Sequence, residues 1–313
     1  GFEMTIQEMR SVFEKLNTCQ EWSLQLLKFG KVRNEFSYNT HNVTITTQNA
    51  LTEFMESLAD IYIGRNGKMD SFQEVVDYDG STIGSRIHRI ELTNPLVSES
   101  YGKLATAMDS PDMAGNALEF SASAYVLKGS IEEGDGAVSD IRLFTIINPF
   151  KTLKHTFSWD GDSFKVIPTK TLALRQHFDV MIWGDAVYMF SLSGEKLFDM
   201  ERAYRQVCAN KVEEIVCTGI LSDDETFRQY ASSGYNPRRF VAFDSNRLQK
   251  IKNDIVFRNK MAEKFGIIQG DNETYDSSDK DNVERIVKFL CKKGMLDPVD
   301  ENPVEVEGSK QWR

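Results

Sequence analysis

The chain has 313 residues, 41% of them hydrophobic and 27% charged, and a formal net charge of −10. These values fit a globular chain of one large or two modest domains and exclude a uniformly basic nucleic-acid binder. No run approaches the roughly 18 apolar residues of a membrane-spanning helix, and Gly1-Phe2-Glu3 ahead of Met4 reads as a vector-derived extension with no room for a signal peptide, so a cytosolic location is expected. Cys19, Cys208, Cys217 and Cys291 lie far apart with no CxxC pair, which speaks against a disulfide framework or zinc ribbon and for reduced, mostly buried thiols. The sequons at Asn42 and Asn272 are then chance matches.

In chain order, Thr5 to Leu16 places Ile6, Met9, Val12, Phe13 and Leu16 on one helical face. Trp22 to Phe29 and Asn42 to Thr46 read as strands, and a helix follows through Ala50, Leu51, Phe54, Met55, Leu58 and Ile61, ended by Asn66-Gly67. Val75 to Asp79 is a short strand, and a helix runs from about Pro95 toward Met108. Ser110-Pro-Asp-Met-Ala-Gly-Asn116 gathers turn formers and is taken as a lobe division, giving an N-terminal lobe of residues 4–112 and a second region of residues 117–313.

Beyond it, Leu118 to Lys128 pairs with Ala137 to Asn148, and His155 to Trp159 pairs with Ser163 to Ile167 across Asp160-Gly161. Thr171 to Trp183 and Ala186 to Leu192 flank Gly184-Asp185, with Gly first as a type II′ turn prefers. Ser193 is placed as the cap of one helix of about five turns that carries Leu197, Met200, Tyr204, Val207, Cys208, Val212, Ile215 and Val216 on one face. Shorter helices follow at Asp224 to Tyr230, Ser245 to Asn259 in one or two pieces, and Asn282 to Lys292, with a strand near Phe240 to Phe243. The predicted class is α+β: an antiparallel β-meander covered by helices, with an N-terminal α/β lobe.

Catalytic motifs are absent. Gly64-Arg-Asn-Gly67-Lys68-Met69 lacks the spacing and hydroxyl of a phosphate loop, and His41, His88, His155 and His177 form no ligand spacing. No catalytic residue, metal site or cofactor is assigned. Asp179, Asp185, Asp199 and Glu201 are the one acid group that a metal-dependent nuclease could use, against the blander reading that Asp185 makes the turn, Asp199 and Glu201 face water and Asp179 lies on the polar face of its strand.

Charge is uneven. Between Arg228 and Lys264, nine basic residues stand against three acids, whereas acids dominate from Phe265 onward. Arg228, Arg238, Arg239, Arg247, Lys250, Lys252, Arg258 and Lys260 form the candidate phosphate-binding set, with Arg238-Arg239 presented by a turn after Asn236-Pro237. The alternative is a solvated helical face that balances the acidic tail. A second basic group is Lys151, Lys154, Lys165 and Lys170, read as the charged outer side of a sheet. The stripe Val283, Ile286, Val287 and Leu290 could serve self-assembly or simply pack in the core.

Phe178-Asp179, Val187-Tyr-Met-Phe190 and Leu197-Phe198-Asp199-Met-Glu-Arg-Ala203, followed by Arg247-Leu248-Gln249-Lys250-Ile251, resemble the signature of the Kiwa KwaB family of bacterial antiphage proteins, most strongly over Ala173 to Ile251. The resemblance implies a defence protein that binds DNA, forms a homo-oligomer and is recruited to the inner face of the membrane by a KwaA-like membrane protein. It favours blocking or sensing of invading DNA over cutting it. A metal-dependent nuclease, and an adaptor for acidic protein or lipid surfaces, remain the alternatives.

Overall fold

The structure, a computed structural model, describes residues 4–113, 115–152, 157–166, 170–291, 294–296 and 303–305. Two compact units are present, one within Gly1–Asp77 and Ile83–Met200, the other within Tyr78–Thr82 and Glu201–Arg313.

The first unit opens with a capping box. The Thr5 hydroxyl accepts from the Glu8 amide at 3.0 Å and the Glu8 carboxylate accepts from the Thr5 amide at 3.4 Å, so α1 (Ile6–Lys15) starts with two amides satisfied. Strands β1 (Ser23–Val32) and β2 (Glu35–Val43) form a hairpin whose turn residues Arg33 and Asn34 have φ of 53° and 66°, the type I′ pattern that matches strand twist. The strand expected at Asn42 to Thr46 catches only the end of β2, whose polar residues Glu35, Asn39 and Asn42 hide it from a propensity reading.

Next come α2 (Ala50–Ile63), β3 (Glu74–Asp77), β4 (Arg86–Glu91), α3 (Ser98–Asp109), β5 (Ala124–Glu132) and β6 (Val138–Thr145). They are followed by β7 (Phe150–Thr152), β8 (Phe157–Asp160), β9 (Ser163–Val166), β10 (Lys170–Leu172), β11 (Val180–Trp183), β12 (Ala186–Met189) and α4 (Ser193–Leu197). Eight strands make one sheet in the order β2-β1-β5-β6-β11-β12-β4-β3, antiparallel except for the parallel pair β3 and β4. The α+β class with a mainly antiparallel sheet is therefore present. Because β1 pairs with β5, the sheet runs straight across residues 110–116, and the division expected there falls inside the first unit.

β8 pairs with β9 in a separate two-stranded ribbon, as expected from Asp160-Gly161, although His155, Thr156 and Ile167 lie outside the described residues. Gly184 has φ of 62° while Asp185 stays at negative φ, as a type II′ turn requires. The core of this unit packs α1 and α2 on the sheet through Met9, Phe13, Met55, Leu58, Tyr62, Leu26, Leu127 and Met181. Phe13, Tyr62 and Phe178 stack there, with Phe13 and Phe178 each 4.9 Å from Tyr62.

The single long helix expected from Ser193 is instead two. Ser193 lies inside α4, which has no side-chain cap, and Asp199 has a left-handed backbone with φ of 50° before α5 (Met200–Val216) begins. Leu197, Phe198, Asp199 and Met200 are all buried. One helical face cannot bury four consecutive residues, and the turn at Asp199 lets the chain do so.

The second unit is helical: α6 (Asp224–Ala231), α7 (Asn236–Arg239), α8 (Ser245–Asn253), α9 (Ile255–Phe265) and α10 (Lys280–Leu290), then a small ribbon of β13 (Gly294–Leu296) and β14 (Pro303–Glu305). The strand expected at Phe240 to Phe243 is a 3-10 turn following α7. Pro237 suits the first turn of that helix, and Phe240 and Phe243, three residues apart, stack at 6.1 Å as helical spacing allows. Val283, Ile286, Val287 and Leu290 of α10 are fully buried in this unit's core, which leaves that stripe unavailable for self-assembly.

Residues Tyr78–Thr82, from the connection between β3 and β4, belong to this second unit. The Gly80 carbonyl accepts from the Tyr235 hydroxyl at 3.2 Å and from Arg238 Nη1 at 3.4 Å. Gly80 itself has φ of 81°, and a Cβ there would stand 2.2 Å from the Arg238 carbonyl oxygen, so no other residue fits.

Candidate nucleic-acid interface

Five of the eight candidate cations are engaged inside the second unit. Arg228 on α6 makes a two-pronged contact with Glu213, at 2.7 and 3.2 Å, and also pairs with Glu225. Hydrogen bonding to Glu213 raises its guanidinium above the ordinary arginine range, and the same bond holds the Glu213 carboxyl below the usual carboxylate range. Arg239 donates to Asn236 Oδ1 at 2.6 Å and to Glu284 at 3.3 Å and lies 4.7 Å from the Tyr235 ring centre. Its partner Arg238 stacks 5.2 Å over Tyr204 while reaching Gly80. The two arginines therefore belong to a short helix with internal partners and are not offered by a loop.

Arg247 on α8 donates to the Phe289 carbonyl at 2.6 Å and lies 4.9 Å over the Phe289 ring, and burial pushes its pKa down. Arg258 is the clearest correction. It is buried, and its guanidinium donates to the carbonyls of Ile251 at 2.7 Å and Lys252 at 2.9 Å. Those carbonyls end α8 and have no intrahelical donor. Arg258 is thus the C-terminal cap of the preceding helix, and a phosphate cannot reach it.

Lys250, Lys252 and Lys260 remain. All three are exposed, and they form no ion pair among the described residues. Lys250 and Lys252 occupy the last turn of α8, where cations suit the helix dipole. Asp254 then breaks the helix and caps α9 by accepting from the Phe257 amide at 3.0 Å. Lys250 Nζ sits 4.2 Å from the Phe257 ring centre. Lys260 lies one helical turn on from Val256 and Phe257, so Lys250 and Lys260 share the neighbourhood of one aromatic ring. Ile255 and Val256, 48% and 78% exposed, complete a surface of ammonium groups interleaved with apolar side chains. Nothing in the residue pattern announces those exposed aliphatics except the capping Asp254 just before them.

The acids proposed for a metal site do not assemble. Asp179 is buried, and its carboxylate accepts from the Ile146 amide at 2.7 Å, Ser191 Oγ at 2.8 Å and His177 Nε2 at 3.0 Å. Burial alone would raise this carboxyl, but the bonds from His177, Ile146 and Ser191 together outweigh it and hold the group below the usual range. Asp185 lies 3.6 Å from Arg89, Asp199 is buried at the helix break, and Glu201 pairs with Arg205 at 3.0 Å. Among the described residues, no three His, Cys, Asp or Glu side chains are grouped to hold a metal ion.

Of the second basic group, Lys165 is exposed on β9, while Lys154 and the side chains of Lys151 and Lys170 lie outside the described residues. The ribbon carries something else. Phe157, Trp159 and Phe164 are 52%, 63% and 63% exposed, and the register sets Trp159 opposite Phe164, so the three aromatics share one face. The alternation Phe157-Ser-Trp159 was its signal in the sequence.

The family described as Kiwa protein KwaB-like matches residues 122–293, more than half of the chain. No curated protein and no solved structure matches.

Proposed function

The chain belongs to the Kiwa protein KwaB-like family, and from that premise we propose that it serves Kiwa antiphage defence by binding DNA, largely without sequence preference, through Lys250, Lys252 and Lys260. The observation that carries this reading is the exposed lysine surface of α8 and α9, three cations without carboxylate partners among the described residues, beside the half-buried ring of Phe257. It is a smaller surface than the sequence charge suggests. Three phosphate contacts correspond to a log–log salt slope of roughly −3 per chain.

The test is fluorescence anisotropy of a labelled duplex across a salt series. Lysine-to-glutamate reversal at positions 250, 252 and 260 should abolish binding in a protein that stays folded, its melting temperature lowered only modestly by the reversed charges at the end of α8. Retained affinity in the folded triple variant would refute the assignment, and a slope near zero would refute the phosphate mechanism itself.

Recruitment by a KwaA-like membrane protein and assembly into a homo-oligomer are part of the same proposal. Self-association would let several shallow lysine surfaces engage one DNA molecule and gain by avidity. Light scattering of the purified chain tests it. No helix among the described residues is long and apolar enough to cross a membrane.

The exposed aromatic face of the β8–β9 ribbon favours a second reading, an adaptor that meets a protein or membrane surface. Failure to shift DNA of any form, together with a partner lost on changing Trp159 to Ser, would put that reading first.

A further inference from the structure

Strand β2 ends the eight-stranded sheet, so one of its two edges has no neighbouring strand. Its register says which groups face outward. The two-residue turn Arg33-Asn34 makes Val32 and Glu35 a hydrogen-bonded pair, so alternate residues counted from Glu35 turn inward, and Phe36, Tyr38 and Thr40 turn their N–H and C=O away from the sheet. Two contacts bear this out. The Thr40 carbonyl accepts from the Asp112 amide at 2.7 Å, and the Phe36 carbonyl accepts from Lys103 Nζ at 3.3 Å. Between them, the Tyr38 N–H and C=O have no partner among the described residues.

That edge forms one wall of a groove of about 710 Å³ whose other wall is α3, and Phe36 and Tyr38 both line it. On α3 the lining is small, with Ser98, Gly102 and Thr106 following one another at intervals of one helical turn. A Cβ built on Gly102 would meet nothing within 4 Å, so no packing within this unit asks for a glycine there, the poorest helix former after proline. The charged residues of the groove are Glu35, Glu99 and Lys103, whose ammonium lies 3.9 Å and 4.0 Å from the two carboxylates. One cation shared between two acids leaves the rim negative.

We propose that this groove binds a short extended peptide carrying a lysine or arginine, which joins β2 as an added strand through the Tyr38 N–H and C=O and sets its cation between Glu35 and Glu99. Main-chain pairing supplies the affinity, and the negative rim selects the charge. Lys103 holds the Phe36 carbonyl in place of a strand N–H, on a long, half-exposed side chain that an incoming amide can displace. A second copy of this chain is a poorer occupant. Its β2 would run past Thr40, where the Asp112 amide already takes the edge, and it would bring the same negative rim. A peptide can stop short of that point. The site is independent of the DNA-binding assignment and of the β8–β9 ribbon.

Displayed random heptapeptides would be selected on the immobilised full chain and, in parallel, on Gly102→Phe. That variant fills the groove from an exposed helix position with open space around it, and its better helix propensity should hold or raise the melting temperature. Enrichment of basic, β-prone sequences on the wild type alone is expected. A labelled synthetic copy of the most enriched peptide should bind at least about tenfold more weakly, by fluorescence anisotropy, to Gly102→Phe and to the double variant Glu35→Gln with Glu99→Gln. N-methylation of that peptide one residue at a time should weaken binding at alternate positions only, as a strand with one edge against β2 requires. In the complex the Tyr38 amide should exchange more slowly with solvent. No enrichment over the variant, selection of acidic sequences, an N-methyl scan without alternation, or an unprotected Tyr38 amide each overturns the proposal. A changed oligomeric state in Gly102→Phe with peptide binding intact overturns it in favour of a second copy.

Discussion

Arg258 and Asp179 show how a charged side chain near a tempting cluster can be wholly occupied by backbone. Replacing Arg258 with alanine strips the last carbonyls of α8 of their donor and should cost about 2–4 kcal/mol in urea denaturation. DNA affinity, measured well below the midpoint, should stay near wild type, the opposite of the outcome for Lys250. For Asp179 the sign follows from its depressed carboxyl. Its stabilisation is complete above the unfolded aspartate value of about 3.9 and is lost as pH falls through the lower folded value. Asp179→Asn should therefore be roughly 1–3 kcal/mol less stable at neutral pH, and the difference should close in denaturation curves taken below about pH 4. Thiol chemistry is similarly decided by burial. Cys208, Cys19 and Cys291 are buried and Cys217 is exposed, and burial pushes the Cys208 thiol up to about 11. Titration of the native protein with a thiol reagent should show one fast cysteine, lost in Cys217→Ser.

At the level of elements, the turns and amphipathic helices were legible in the residues, and the polar strands were not. Gly184-Asp185, Asp160-Gly161 and the apolar spacing of α1 each state a backbone geometry locally, so they could be read without knowing the fold. Strand β4 could not. Arg86-Ile-His-Arg-Ile-Glu has no apolar alternation, yet His88 and Arg89 are both buried, Arg89 with Glu91 and Asp185 at 3.6 Å. Those partners come from the end of its own strand and from a turn 96 positions away in the chain. The β1–β2 turn offers a test of local strain. Arg33 and Asn34 both hold positive φ, which costs a side-chain-bearing residue such as arginine about 1 kcal/mol. Arg33→Asn with Asn34→Gly should raise the unfolding free energy by roughly that amount.

For the whole molecule, net charge and local basicity were visible from composition, but which cations are free was not. Nine basic residues became three available lysines because five arginine side chains return to carbonyls, rings and glutamates of their own unit and Lys264 is also engaged. The proposed DNA-binding surface is thus narrower than the charge plot, and any binding there should be correspondingly mild in its response to salt.

The five residues Tyr78–Thr82 have a consequence for heredity and manipulation. Since the second unit counts them among its own, with Gly80 taking two hydrogen bonds inside it, no single breakpoint in the gene separates the two units. A fragment starting at position 201 inherits every helix of α6 to α10 but not this insert. Recombination that swaps either unit between relatives would have to exchange the insert as well, or leave Tyr235 and Arg238 facing a stranger's loop.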